Sequence, residues 1–239
     1  GSEGTLSVVT EAKINLVPRP KTTALMAAHF HGLIEAMEAT VATLEHEPAA
    51  VELMGKLVID QIRASVGFSR RGTFLEGDPE AVLLVETSGD TEEEVAAKLD
   101  NIETSLRRGG MGYAYIKMTD RDDQANVWEV RKASIGLIMG VRGSAKPIPF
   151  IEDCAVSTDK LPEYISRVDQ MVRDNGTHAA YYGHASVGCI HVRPFINLKD
   201  QADIDRMFRI SEEACDLVLE MGGSMSGEHG DGLVRSMWN

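Results

Sequence analysis

Hydrophobic positions recur at two spacings along this chain, and the changes between them divide it into short elements. Residues 22–30 read as a strand. Residues 31–47 read as a helix, with Leu33, Met37, Val41 and Leu44 on one face. A short strand at 49–54 leads into a helix at 56–66, then a loop at 68–79 rich in Gly, Arg and Asp. Residues 81–86 read as a buried strand, apolar without a break from Ala81 to Val85. Thr91 and Glu94 have the spacing of a capping box, and Val95, Leu99, Ile102 and Leu106 form the apolar stripe of the helix that follows, closed by Gly109 and Gly110. Further on we expect a strand at 113–118, a helix at 120–139 that holds Trp128 and Arg131, and a strand within 148–156 interrupted by Pro149. A helix at 160–174, two β segments at 177–184 and 189–195, and a long helix at 200–221 complete the pattern.

The opening differs. Residues 7–17 are β-rich, with alternation through Val9, Ile14 and Leu16, and Pro18 and Pro20 mark a linker. So short a segment cannot be a domain, and we expect residues 1–20 to be the end of a domain lying outside the chain. The sequence begins with Gly and stops at Asn239 without a closing element, as a piece of a longer protein would. Alternating strands and helices leave α/β and α+β open. No Gly-rich phosphate loop follows an early strand, which disfavours a doubly wound nucleotide fold. We therefore expect an α+β domain over 21–239. It has an antiparallel sheet with helices packed mainly on one face, in two ferredoxin-like β-α-β halves near 22–118 and 148–228.

Composition narrows the function classes. Hydrophobic residues make up 43% and charged residues 26% of 239 residues, ordinary values for a globular protein. A net charge of -13 argues against a general nucleic-acid surface and requires any anionic substrate to be drawn in by local positive charge. Cys154, Cys189 and Cys215 are far apart, which excludes a disulfide framework and an iron–sulfur cluster held by this segment alone. No apolar run is long enough to span a membrane and no signal peptide is present. The expected location is the cytoplasm, with peripheral membrane attachment of a longer parent left open.

Chemistry concentrates in two glycine-rich stretches. His184 and His191 flank a segment containing Gly188, and Ser226-Gly227-Glu228-His229-Gly230 follows near the end. Seven residues apart on one strand, the histidines would face opposite ways. A turn near 186–188 makes them neighbours on one face. With Glu228 they form a two-His, one-carboxylate set that leaves open coordination positions, as catalytic metal sites do. Zinc fits best, with iron(II) and manganese open. Glu228 and His229, adjacent in sequence, point to opposite sides of an extended segment, which frees His229 as a general base with a reference pKa of about 6.5. Arg131, Lys146 and Arg193 are the cations placed to clamp a carboxylate, and Arg193 shares the face of His191.

These motifs, in this order, resemble the C-terminal substrate domain of FAD-linked oxidases of the vanillyl-alcohol-oxidase type. That group includes D-lactate dehydrogenases, the glycolate oxidase flavin subunit and D-2-hydroxyglutarate dehydrogenases. The resemblance spans nearly the whole chain. It implies that His184, His191 and Glu228 are metal ligands, His229 the base, and Arg131 and Lys146 holders of the substrate carboxylate. It also implies that Gly1, Ser2, Gly4 and Thr5 close the FAD-binding domain of the same parent. The substrate would be a 2-hydroxy acid, oxidised to the 2-oxo acid with FAD as hydride acceptor. The sequence departs from the family pattern between the histidines, where 185–190 read Ala-Ser-Val-Gly-Cys-Ile, and at Ile135, where a hydroxyl-bearing residue is expected. The Val-Gly-Cys variant looks like the large D-2-hydroxyglutarate dehydrogenases in which an iron–sulfur domain follows the flavin unit. A metal-dependent hydrolase and a non-enzymatic metal- or ligand-binding module are the competing readings.

Overall fold

A computed structural model describes residues 6–238. Among the described residues there are seven strands: β1 (Thr22–Phe30), β2 (Ala50–Gly55), β3 (Ala81–Gly89), β4 (Ala114–Met118), β5 (Lys146–Pro147), β6 (Ala179–His184) and β7 (Cys189–Ile196). They form one sheet in the order β4-β1-β3-β2-β6-β7-β5, with every neighbouring pair antiparallel. The helices are α1 (Leu33–Leu44), α2 (Lys56–Ala64), α3 (Glu92–Arg108), α4 (Arg121–Met139), α5 (Leu161–Asp174), α6 (Gln201–Glu220) and the short α7 (Gly232–Arg235).

The fold is α+β, as the sequence predicts. Order β4-β1-β3-β2 is the ferredoxin-like arrangement, with α2 inserted after β2. The second half repeats three of its four strands as β6-β7-β5. The halves join edge to edge where β2 meets β6, which sets Glu52 opposite His184 and Met54 opposite Tyr182.

Period-two alternation sends successive side chains of each strand to different layers. Met26, Phe30, Leu53, Leu83, Val85, Ile190 and Val192 pack against buried residues of α1, α3, α5 and α6, among them Met37, Leu99, Ile165 and Val218. Leu25, Met54, Val82, Leu84 and Tyr182 face the opposite layer, which α2 and α4 cover through Val58, Ile59, Ile62, Val127 and Val130, joined by Phe74 from the loop after α2. Four long helices therefore lie on one face and two on the other. Glu52, His184, His191 and Arg193 point to the two-helix face, because they alternate with residues of the larger core along β2, β6 and β7.

Cap chemistry places the helix ends. The Thr91 hydroxyl accepts the Glu94 N–H at 3.2 Å, while the Glu94 carboxylate reaches back to the Asp90 N–H at 2.9 Å, one residue earlier than a standard capping box. Asp120 and Asp200 cap α4 and α6 in the same way.

Two expectations need correction. The alternation at 7–17 forms no strand: residues 6–20 carry no β pairing, and Leu6, Val9, Ile14 and Leu16 are exposed. A strand needs a partner, and this segment pairs with none of the seven strands. The apolar run at 148–156 is likewise not a strand. Pro149 has no N–H to donate, and pairing within the run is confined to bridges from Ala155 to Cys189 and Ser224. Between them the backbone bends, turning Glu152 and Asp153 inward, where both are buried.

Candidate active site

β6 and β7 form a hairpin whose connection, Ala185–Val187, is one 3-10 turn. Gly188 closes it with φ 72°, and a Cβ there would lie 1.9 Å from the Val156 carbonyl oxygen, so only glycine fits. The hairpin pairs His184 with Cys189 and Tyr182 with His191. The two histidines are therefore diagonal neighbours on one face, with ring centroids 5.2 Å apart, edge to face.

The second glycine-rich stretch arrives as a loop held by Asp153. Its Oδ1 accepts the Glu228 N–H at 3.0 Å, its Oδ2 accepts the His229 N–H and the Ser226 hydroxyl at 2.9 Å each, and its carbonyl accepts the Gly227 N–H at 2.7 Å. Burial pushes the Asp153 carboxyl up, but the hydrogen bonds from His229, Ser226 and Glu228 outweigh it and hold the group below the usual carboxylate range. Asp153, Glu228 and His229 also form a three-donor cluster. The Asp153 oxygens are already committed to the loop, so the cluster of His184, His191 and Glu228 is the better candidate for a cation.

The loop carries one Glu228 oxygen into the centre of three imidazoles. Glu228 Oε1 is 3.1 Å from His184 Nε2, 3.4 Å from His191 Nε2 and 3.3 Å from His229 Nε2. Each opposite ring nitrogen already has an acceptor. His184 Nδ1 lies 2.6 Å from Glu52 Oε1, His191 Nδ1 2.9 Å from the Glu152 carbonyl oxygen, and His229 Nδ1 3.2 Å from Glu152 Oε1. In the neutral rings these partners assign the proton to Nδ1 and leave a lone pair on Nε2. Three lone pairs then face a carboxylate oxygen with no hydrogen between them. Such an acceptor cluster calls for a cation or for added protons.

The rings differ in their surroundings. The Glu52 carboxylate raises the His184 pKa above its ordinary value, the hydrogen bond outweighing burial. Burial lowers that of His191, and the neighbouring His184 and His229 act in the same direction. His191 is almost fully enclosed, whereas His184 and His229 are partly exposed.

The structure thus gathers His184, His191, Glu228 and His229 at one point. Arg131 and Arg193 stand one shell further out. Arg131 places Nε and Nη2 on Glu52 Oε2 at 3.0 and 2.7 Å, and Arg193 Nη2 lies 2.5 Å from Glu152 Oε2. Both guanidiniums sit beside the buried Tyr182 ring, at 5.3 and 5.9 Å from its centroid. Lys146 is engaged elsewhere, donating to the Val141 carbonyl, and no ion pair joins it to the cluster. Gly1, Ser2, Gly4 and Thr5 lie outside the described residues.

Glu52, Glu152, Asp153 and Tyr182 are not among the residues the sequence reading selects. A signal for the carboxylates exists: Glu52 stands alone in an apolar strand run, and Glu152 and Asp153 interrupt the apolar run at 148–156. Charges in such positions are seldom buried without partners.

Residues 19–239 match the family model described as FAD linked oxidases, C-terminal domain. The chain is 31% identical to a D-2-hydroxyglutarate dehydrogenase of Pseudomonas putida over 98% of its own length and 24% of that protein's. It is 29% identical to a D-lactate dehydrogenase of Archaeoglobus fulgidus, covering 98% of this chain and 49% of the relative. The chain therefore spans about a quarter to half the length of these relatives. Among solved structures it is similar to p-cresol methylhydroxylase with substrate bound, with a TM-score of 0.59 and 13% identity over 87% of this chain and 45% of that one, a likeness of fold alone. On the match across residues 19–239, this chain belongs to the C-terminal domain family of the FAD-linked oxidases.

Proposed function

We propose that this chain is the substrate-binding and proton-accepting domain of a flavin-dependent dehydrogenase that oxidises a D-2-hydroxy acid, of the 2-hydroxyglutarate or lactate type, to the 2-oxo acid. The observation that carries the reading is the acceptor cluster: three imidazole Nε2 atoms within 3.4 Å of Glu228 Oε1, each ring anchored through its other nitrogen. The donor set fits a divalent metal, with His184, His191 and Glu228 as ligands and zinc as the best match for two imidazoles and a carboxylate. When bound, the metal would supply charge that makes a hydroxyl more acidic, and the flavin would supply the hydride acceptor.

The residues of this chain then divide the work. His184 and His191 would hold the cation through their Nε2 atoms. Glu228 would supply the anionic ligand, and Asp153 fixes its backbone. His229 keeps Nδ1 on Glu152 and so presents Nε2 as the base that takes the hydroxyl proton of the substrate. Removing that proton builds electron density on the oxygen and drives hydride departure from the α-carbon. The buried walls formed by Tyr182 and His191 exclude water from one side.

The same reading includes an FAD-binding domain of the same parent, to which residues 1–20 would belong. The exposed apolar residues Leu6, Val9, Ile14 and Leu16 support it, since they find no cover in this chain. An iron–sulfur domain would be the electron outlet, and the cytoplasm the location.

The test uses the intact flavin-loaded parent under exclusion of oxygen. D-2-hydroxyglutarate, D-lactate, glycolate and malate are offered in turn and flavin bleaching is followed. Bleaching by at least one acid, lost in His229→Ala, is expected. Bleaching by none, or bleaching that survives His229→Ala, would overturn the reading. Hydrolysis of an ester by a flavin-free preparation would move the assignment to a metal-dependent hydrolase.

A further inference from the structure

The loop that carries Glu228 and His229 is gripped from two sides. Asp153 holds its leading part, through the N–H groups of Gly227, Glu228 and His229. Its trailing part is held by Arg235, the last residue of α7. Arg235 Nη2 donates to the carbonyl of Gly230, the residue directly after His229, and Arg235 Nη1 donates to the Pro149 carbonyl at 3.0 Å. Pro149 opens the bent segment that turns Glu152 and Asp153 inward. One guanidinium therefore spans the loop that carries His229 and the segment whose Glu152 Oε1 lies 3.2 Å from His229 Nδ1. Asp153 Oδ2 stands 3.9 Å from Arg235 Nη2, beyond hydrogen-bond reach but close enough for opposite charges to attract.

From this geometry we propose that Arg235 is a positioning residue of the site. Its guanidinium is a strut that fixes the spacing between the Glu228–His229 loop and segment 149–153, and so sets where the two side chains stand. Three observations carry this. First, the strut is internal: the Arg235 side chain is 6% exposed and that of Asp153 is 0%. Second, Arg235 Nε is buried and has no partner. A buried cation with an unpaired N–H costs stability, and an apolar side chain would fill the same space at less cost. What an apolar side chain cannot do is donate to carbonyls on two separate segments, and the rigid fork of a guanidinium does that. Third, the loop has little structure of its own. Residues 225–230 belong to no helix or strand, and Gly230 sits at φ 75°, a conformation open to glycine and strained for most other residues. The Gly230 carbonyl is therefore attached to a point where the backbone can swing, and the Arg235 hydrogen bond stops it there. These hydrogen bonds reach neither the Glu228 nor the His229 side chain, so Arg235 acts on the site through the main chain alone.

The inference rests on the reading of His229 as the base, and the test keeps the two apart. Amide hydrogen–deuterium exchange of the 239-residue chain is followed first, by mass spectrometry. In the unsubstituted chain, peptides over 226–230 should exchange far more slowly than residues 6–20, which carry no pairing. Equal rates would overturn the strut, and this measurement needs no variant to fold. Arg235→Ala should speed exchange over 226–230 by about 10-fold or more while β1 to β4 keep their rates. Arg235→Lys keeps the buried charge, but a single ammonium lacks the fork that bridges both carbonyls, and the loop should loosen nearly as much. Unchanged exchange over 226–230 in the variants would overturn the proposal, and so would a rise spread evenly over the chain, the mark of a residue that merely supports the fold. In the flavin-loaded parent, flavin reduction at saturating acid should slow by about 10- to 100-fold in Arg235→Lys, with a smaller change in the half-saturating concentration. Guanidinium ion added to Arg235→Ala should restore part of that rate. A loosened loop with an unchanged reduction rate would overturn the positioning role. A parent that reduces its flavin with none of the acids would sink the hydroxy-acid reading, and the exchange rates alone would then decide the strut.

Discussion

Asp153 accepts the backbone N–H of Glu228 at 3.0 Å, so a buried carboxylate fixes the main chain of the residue whose side chain sits among the three histidines. It does the same for His229 and Ser226. Asp153→Asn replaces an oxygen that accepts these donors with an amide group that cannot accept. At least one buried N–H or O–H then loses its partner, at a cost of about 2–4 kcal/mol in urea-unfolding experiments. The sign of the pH dependence follows from the depressed pKa. The stabilisation from Asp153 is complete above the unfolded value of about 3.9 and fades as pH falls through the lower folded value. The difference in stability between parent and variant should therefore be constant from pH 8 to 5 and narrow in stronger acid. A constant difference down to pH 2 would show that the Asp153 charge has no part in it.

Most of the scaffold was legible because its signal is local. The apolar stripe of α3, the buried run of β3 and the turn at Gly188 each depend on residues close in sequence. The site was legible only where glycines frame it. Glu52 meets His184 across 132 positions and Glu152 meets His229 across 77, and no periodicity encodes such pairs. Their trace is a carboxylate out of place in an apolar run. At 148–156 that trace ran against the pattern, since an apolar run around Pro149 reads as a strand although its missing N–H and the inward bend to Glu152 and Asp153 prevent pairing. The alternation at 7–17 fails for the opposite reason: the local signal is present, but the segment pairs with no strand of the sheet.

The acceptor cluster predicts that zinc stabilises the protein. A cation that binds only the folded state adds about 2.7 kcal/mol at a free concentration one hundred times its dissociation constant. Zinc should raise the unfolding temperature and a chelator should reverse the shift. Glu228→Ala removes the shared ligand and should abolish the response while leaving the metal-free melting temperature within a few degrees, because Glu228 is 43% exposed at its side chain. An equal zinc shift in Glu228→Ala would place the ion elsewhere.

The thiols should be inert until the protein unfolds. Burial pushes Cys154 and Cys189 up to about 12 each, and Cys215 is raised as well. Only the thiolate attacks an alkylating reagent, and at pH 8 a thiol of that pKa is ionised in roughly one molecule in ten thousand. Labelling of the folded chain should be slow, and its rate should rise with urea in step with unfolding. Rapid modification of Cys189 in the native protein would show that the hairpin opens without global unfolding, and would make the Val-Gly-Cys stretch mobile.

His29 provides a pH test away from the candidate site. It lies fully buried on β1, where Nδ1 donates to the Ala114 carbonyl at 3.3 Å and Nε2 accepts the Glu76 N–H at 3.2 Å. Both roles are filled by the neutral ring, and burial lowers its pKa from the ordinary value. Below about pH 6.5 the unfolded chain takes up a proton at His29 that the folded chain refuses. The stability it contributes is therefore complete above about 6.5 and falls with pH, by at most about 1.4 kcal/mol per unit, until the folded pKa is reached. His191 bends the curve the same way and His184 the opposite way, so the contrast must come from a variant. His29→Gln should lose about 1–3 kcal/mol at pH 8 through its imperfect fit to two buried partners. Its stability should then decline less steeply than the parent's between pH 6.5 and 5, so that the two curves converge. Parallel curves over that range would mean that His29 takes up its proton without unfolding the strand.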